Sequence, residues 1–274
     1  MGDARGPIAL RRLLLTVVAC SLLAGCGGSA TSGGSVTSSA SPTPGEATPL
    51  PRPSSCGPGA DAFWLPGPSG SRLEANSVGS GQIAAVFLHE VGGTGMCGFW
   101  PYATWLVAHY PVRAVLVNRC GYGASRCPSI PLGDAGIVAE TGPAVDWARA
   151  HGASRISLVG ASFGGGDALE AAGVIPGIAA VVDVSGDGND TGADDPTDVR
   201  RLQVPALFAV APGDRYCRLD RLQSLYDATP AQPKQFVVID ELSGIHGWDL
   251  LTDLNGKPER LAAVVASWVM QPAR

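Results

Sequence analysis

The stretch Ile156-Ser157-Leu158-Val159-Gly160-Ala161-Ser162-Phe163-Gly164-Gly165-Gly166 constrains the fold of this chain more than any other. A short apolar, β-branched run ends abruptly in glycines, with one serine at the corner. That pattern predicts a strand, a very tight turn and then a helix. A serine on such a turn is held in a strained backbone conformation that lifts its Oγ above the sheet edge, and a Cβ at Gly160 or Gly164 would collide with the neighbouring strand or helix. The motif needs context, because in a chain with 37 glycines a G-x-S-x-G pattern readily arises by chance. Gly-Ala-Ser recurs from Gly123 and from Gly152, without the closing glycine or the preceding strand.

The rest of the chain supplies that context. Phe63 to Leu65 and Arg72 to Val78 read as a hairpin of two short strands. Gln82 to His89, Arg113 to Val117, Arg155 to Val159, Ala179 to Val184, Pro205 to Val210 and Gln235 to Ile239 read as buried strands. Helical segments are expected at Trp100 to His109, Asp134 to Ala150 (with Pro143 inside), Gly165 to Ala172, Leu219 to Ala228 and Glu259 to Val269. Strands that alternate with helices and are almost continuously apolar predict an α/β fold, a mostly parallel sheet covered on both faces. Ligands in such folds bind beyond the carboxyl ends of the strands. Ser162, Asp214 and the loop after Ile239 all fall there.

A serine hydroxyl is a poor nucleophile near neutral pH and needs a base, for which histidine is suited. Of the four histidines, His109 and His151 each close a helix, where a cation favours the C-terminal dipole. His89 ends a strand and reads as a loop hydrogen-bonder. His246, in the glycine-flanked Ser243-Gly244-Ile245-His246-Gly247-Trp248, is placed like a catalytic base. Asp214, at the tip of the preceding strand, would orient it. Asp183 reads as structural, and Asp187 and Asp190 are alternative sites for the acid.

The strand–Gly-Ala-Ser-Phe-Gly–helix, the strand end Ala211-Pro212-Gly213-Asp214, the Gly244-Ile245-His246-Gly247 loop and the order Ser162…Asp214…His246 resemble the α/β-hydrolase superfamily. Small uncapped esterase-like and dienelactone-hydrolase-like members are the nearest in pattern. Asn118 to Ser125 is similar to the superfamily's D-x-R-G-x-G-x-S stretch, with Asn118 in place of the aspartate. The resemblance implies an oxyanion hole of the Phe163 and Val91 backbone N–H groups. His89-Glu90 departs from the usual His-Gly there, and a carboxylate turned inward would oppose negative charge. A Glu90 pointing outward, or binding a substrate cation, fits the sequence equally. Only about 20 residues separate Val184 from Pro205, too few for a helical cap. The expected activity is a serine hydrolase cleaving small carboxylic esters. Thioesterase, lactonase, amidase or acyltransferase chemistry would use the same residues, and a non-catalytic ligand-binding lipoprotein is the rival of another class. No cofactor or metal is implied. Tyr122, Trp100 and Trp248 are candidates for the pocket wall or for the core.

Before the fold, Arg11-Arg12 leads into the apolar run Leu13 to Leu23, shorter than the roughly 20 residues needed to span a bilayer. Leu23-Ala24-Gly25-Cys26 resembles a lipobox, implying a signal peptide over residues 1–25, lipidation of Cys26 and a membrane-anchored, extracytoplasmic protein. Residues 26–55, rich in Gly, Ser, Thr and Pro, read as a disordered tether before a hydrolase domain at 56–274. Loss of the signal takes the net charge from −5 to about −7. With no basic cluster, nucleic acid is not an expected partner. Five cysteines remain in the domain: Cys56, Cys97, Cys120, Cys127 and Cys217. Disulfides suit an exported protein. Cys120 and Cys127 bracket one loop and are a candidate pair, while Cys97 and Cys217 are placed on loops near the site.

Overall fold

The computed structural model describes residues 52–131, 133–186 and 198–271. The expectations for the first 51 residues, including lipidation of Cys26, and the alternative acids Asp187 and Asp190 lie outside the described residues.

The described strands are β1 (Asp61–Pro66), β2 (Arg72–Gly79), β3 (Ile83–Leu88), β4 (Val112–Val117), β5 (Arg155–Ala161), β6 (Ile178–Val184), β7 (Ala206–Val210) and β8 (Lys234–Val238). They form one sheet in the order β1-β2-β4-β3-β5-β6-β7-β8. The β1–β2 hairpin joins β4 antiparallel, and every pairing from β4 to β8 is parallel.

The near-continuous apolar strands are buried on both faces because helices cover both. Ala84, Val86 and Leu88 of β3 join one core layer, with Ile137 and Val145 of α2 (Asp134–Ala150), Leu169 of α3 (Phe163–Val174) and Leu222 of α4 (Leu219–Ala228). The alternate residues Ala85 and Phe87 join the other, with Tyr102 and Leu106 of α1 (Trp100–His109) and Val265 and Val269 of α5 (Arg260–Val269). This is the period-2 alternation of a strand expressed as two layers. Among the described residues, the connection from β6 to β7 holds only one short 3-10 turn, Asp198–Arg201.

Helix α3 begins at Phe163, two residues earlier than the sequence suggests, because the turn at Ser162 is so tight that the helix follows it directly. Cys120 bonds Cys127, and Cys97 bonds Cys56, with Cα atoms 5.7 and 5.1 Å apart. Cys217 lies outside both bridges, buried in the core layer beneath α4. The second bridge fastens the entry to the domain onto the loop that follows β3.

Candidate active site

Ser162 has φ 51° and ψ −122°, in the left-handed half of backbone space that L-residues other than glycine seldom occupy. The surroundings hold it there. Its N–H donates to the Val184 carbonyl at 2.8 Å, and its own carbonyl accepts the Gly165 N–H at 2.8 Å. The turn is closed by glycines with no room for a side chain: a Cβ on Gly160 would meet the Gly164 carbonyl, and one on Gly164 would meet the carbonyls of Leu88 and His89. The result is a half-buried serine at the carboxyl end of β5, directly ahead of the N-terminus of α3. The first-turn N–H groups there favour negative charge.

Asp214 and His246 are joined directly. His246 Nδ1–H donates to the two oxygens of Asp214 at 2.9 and 2.8 Å, leaving Nε2 as the acceptor of the ring. The Asp214 side chain is fully buried and that of His246 is 17% exposed. Asp214 also accepts the N–H groups of Tyr216 and Cys217 at 2.9 and 3.1 Å. Burial pushes its carboxyl up, but the bonds from His246 and the Tyr216 N–H outweigh that and hold it below the usual carboxylate range. The two loops are laced together: the Gly244 N–H and Ser243 hydroxyl both donate to the Pro212 carbonyl, at 2.7 and 2.9 Å.

Strand β8 is the far edge of the sheet, three places from β5. The His246 loop nevertheless crosses back over the sheet edge. Gly247 abuts the carboxyl of Glu90 at the end of β3, the strand paired with β5, and the Trp248 ring packs on Gly98 and Phe99 of the loop beyond it. That crossing brings His246 to the end of the sheet that carries Ser162. Among the described residues the Ser162 hydroxyl and His246 share no hydrogen bond.

The Glu90 side chain turns sideways rather than outward: its carboxyl lies against Gly247, with Oε2 buried. Burial raises it to about 7; the nearby His246 and the Trp248 N–H oppose the rise, and Asp249 and Asp214 add to it. His89 is the loop hydrogen-bonder the sequence suggests. Its Nδ1–H donates to the Glu90 carbonyl at 2.7 Å and its Nε2 accepts the Arg119 N–H at 3.2 Å. Burial lowers it to about 4, and the Arg119 charge adds to that despite the bond to the Glu90 carbonyl, so it is a neutral structural ring. Val91 presents its side chain to solvent, 59% exposed.

His109 and His151 each bond a carbonyl in the last turn of a helix, those of Trp105 and Trp147, at 2.8 Å. Asp183 is buried against Gly165 and Gly186, behind the turn rather than at the mouth. Trp100 lies against Gly57 and Trp248 against Phe99, at the edge of the core, while Tyr122 meets the buried His89 ring. The aromatic ring next to the base is one that sequence reasoning passed over: Tyr216, 69% exposed, with its centroid 5.1 Å from that of His246. Also missed was Arg119, whose guanidinium lies 3.7 Å from the Phe163 ring centroid and pairs with Asp167 at 2.6 Å and Glu140 at 3.2 Å. Among the described residues no group of three or more His, Cys, Asp or Glu side chains could hold a metal ion.

No protein-family model matches the chain, and neither does any curated protein sequence. Solved structures do match. An esterase from Exiguobacterium antarcticum superposes with a TM-score of 0.62 at 13% identity, covering 77% of this chain and 100% of that one. A dienelactone hydrolase from Anabaena variabilis gives 0.58 at 18%, covering 78% and 98%. The Pyrococcus furiosus esterase Pf2001 gives 0.61 at 12%, covering 77% and 89%. The fold is that of the α/β hydrolases. In this α/β-hydrolase fold the connections between strands carry no large cap among the described residues.

Proposed function

We propose that this protein is a serine hydrolase that cleaves carboxylic esters through an acyl-enzyme. The observation that carries the reading is the strained Ser162, set at the same end of the sheet as a formed Asp214–His246 pair. Ser162 Oγ attacks the ester carbonyl while His246 Nε2 takes its proton. The imidazolium formed is stabilised by Asp214 and passes that proton to the departing alkoxide oxygen. Water, activated by the same histidine, then releases the acid and restores Ser162. The N–H groups of Phe163 and Val91 hold the oxyanion, helped by the N-terminus of α3. The esterases and the dienelactone hydrolase that share the fold support this class of reaction. A thioester or lactone would pass through the same steps. The protein acts outside the cytoplasm, anchored through a lipid on Cys26.

The test is labelling of the whole protein with a fluorophosphonate, beside Ser162→Ala and His246→Ala. Stoichiometric labelling lost in both variants is expected. A folded wild type that stays unlabelled would overturn the reading, and an acyl-ester panel on the labelled protein narrows the substrate.

A further inference from the structure

The reaction above uses one carboxyl, yet a second lies beside the same histidine. Glu90 closes β3 and sends its side chain across to the loop of the far strand. There Gly247 adopts φ +59°, and a Cβ on it would overlap Glu90 Oε2. The Glu90 carboxyl occupies the space that any other residue at 247 would need. The loop is thereby seated between Glu90 on one side and Gly98 and Phe99 on the other, where the Trp248 ring packs.

We propose that Glu90 is a positioning residue for His246: it fixes the loop carrying the base, and its carboxyl adds a second ionisable group to the pH dependence of the site. The proposal rests on the Ser162–His246–Asp214 reading for its kinetic consequence, though not for the Glu90–His246 coupling itself. The groups that face Glu90 are few. The His246 loop brings His246 and Asp249, and the loop after β7 brings Asp214. On its own strand end His89 is neutral and turned toward Arg119.

The sign follows from the charges. An ionised Glu90 stabilises the imidazolium that forms when His246 takes a proton during the reaction. Burial raises Glu90 to about 7, which brings its own proton loss into the working range of a histidine. The ionisation of Glu90 then enters the acid limb of the pH profile. An uncharged glutamine has the same shape and fills the same space beside Gly247. It keeps the seat and removes the charge.

Two measurements test this on the whole protein. The first is the pH dependence of kcat/KM for a soluble ester in wild type, Glu90→Gln and Glu90→Ala. Glu90→Gln is expected to move the acid limb down by about half to one pH unit and sharpen it to a single-proton step. Glu90→Ala, which also unseats the loop, is expected to lose a further ~10-fold in kcat. An acid limb in Glu90→Gln that coincides with wild type overturns the proposal. The second is the carboxyl-carbon NMR titration of Glu90 in wild type and in His246→Gln. A midpoint near 7 is expected in wild type, rising in the variant because the neighbouring cation is gone. A midpoint in the ordinary carboxylate range, or one that His246→Gln leaves unmoved, overturns it. This second readout needs no turnover, so a failure of the serine-hydrolase reading and a failure of the Glu90 coupling give different results.

Discussion

Asn118 stands where the resembling stretch carries an aspartate, and its neighbours explain the exchange. Its Oδ1 accepts the Met96 N–H at 2.8 Å, and its Nδ2 donates to Glu74 Oε2 at 2.9 Å. Glu74, fully buried in β2, also accepts the Ala124 N–H at 3.0 Å and the Ser54 N–H. Burial pushes the Glu74 carboxyl up, but these donors outweigh it and hold the group below its ordinary range. An aspartate at 118 would set acceptor against acceptor at Glu74, while an asparagine supplies one donor and one acceptor. Through Asn118 the loop after β4 is fastened both to β2 and to the loop after β3, which carries Glu90. Asn118→Asp is expected to destabilise the fold by about 2 kcal/mol at neutral pH. The deficit should shrink below about pH 5, where one of the two carboxyls takes up a proton. Urea unfolding at both pH values measures it, and equal stability of variant and wild type at neutral pH would contradict this account of the exchange.

At the scale of elements, α2 and α3 meet through an acidic cluster with one base. Arg119 reaches between the helices to Glu140 and Asp167, with Glu170 nearby on α3. Burial raises Asp167 to about 7; the Arg119 charge opposes this, and those of Glu140 and Glu170 reinforce it. In the unfolded chain the same carboxyl ionises near its ordinary value of 3.8. Between those two values the folded protein binds the proton more tightly than the unfolded one, so stability falls as pH rises through that window and levels off above it. Asp167→Asn is expected to flatten the slope of Tm between about pH 4 and 7. An unchanged slope would place Asp167 in an ordinary environment. Elements of this kind were legible in the sequence, because each parallel strand is a short, almost continuous apolar run and the helices fall in the longer segments between such runs. The extents of α1, α2 and α4 agree with the sequence reading. The turn at Ser162 was legible from its glycines, whose missing side chains the neighbouring backbone requires. What could not be read was whatever depends on two distant loops meeting. The bridge between Cys56 and Cys97 joins segments 41 positions apart. The orientation of Glu90 is set by a loop that crosses from β8, and Arg119 finds its partners on two different helices. No local pattern encodes these meetings; they follow from the order of strands in the sheet.

At the scale of the whole molecule, the described rim around His246 has a chemical character. Val91, Tyr216 and Ile245 are large apolar side chains that stay exposed, at 59%, 69% and 38%. They come from three loops, after β3, β7 and β8, and each has a tie to the base. Ile245 precedes His246, the Tyr216 ring lies 5.1 Å from it, and Val91 follows the glutamate that abuts Gly247. In the acyl transfer proposed above, the histidine gives its proton to the departing group, so the side of the site nearest the histidine would receive the alcohol part of an ester. An apolar rim there favours an aryl or branched-alkyl alcohol over a charged one, since burying part of a Tyr216-sized surface contributes on the order of 1–2 kcal/mol. For acetate esters of alcohols of similar acidity, kcat/KM is expected to be higher for benzyl than for methyl alcohol. Tyr216→Ala should lower the benzyl value by about 5–20-fold and leave the methyl value nearly unchanged. A drop of equal size for both esters would mean that Tyr216 supports His246 rather than the substrate. The selectivity would then have to come from the acyl side, where the Ser162 turn and the loop after β3 face each other.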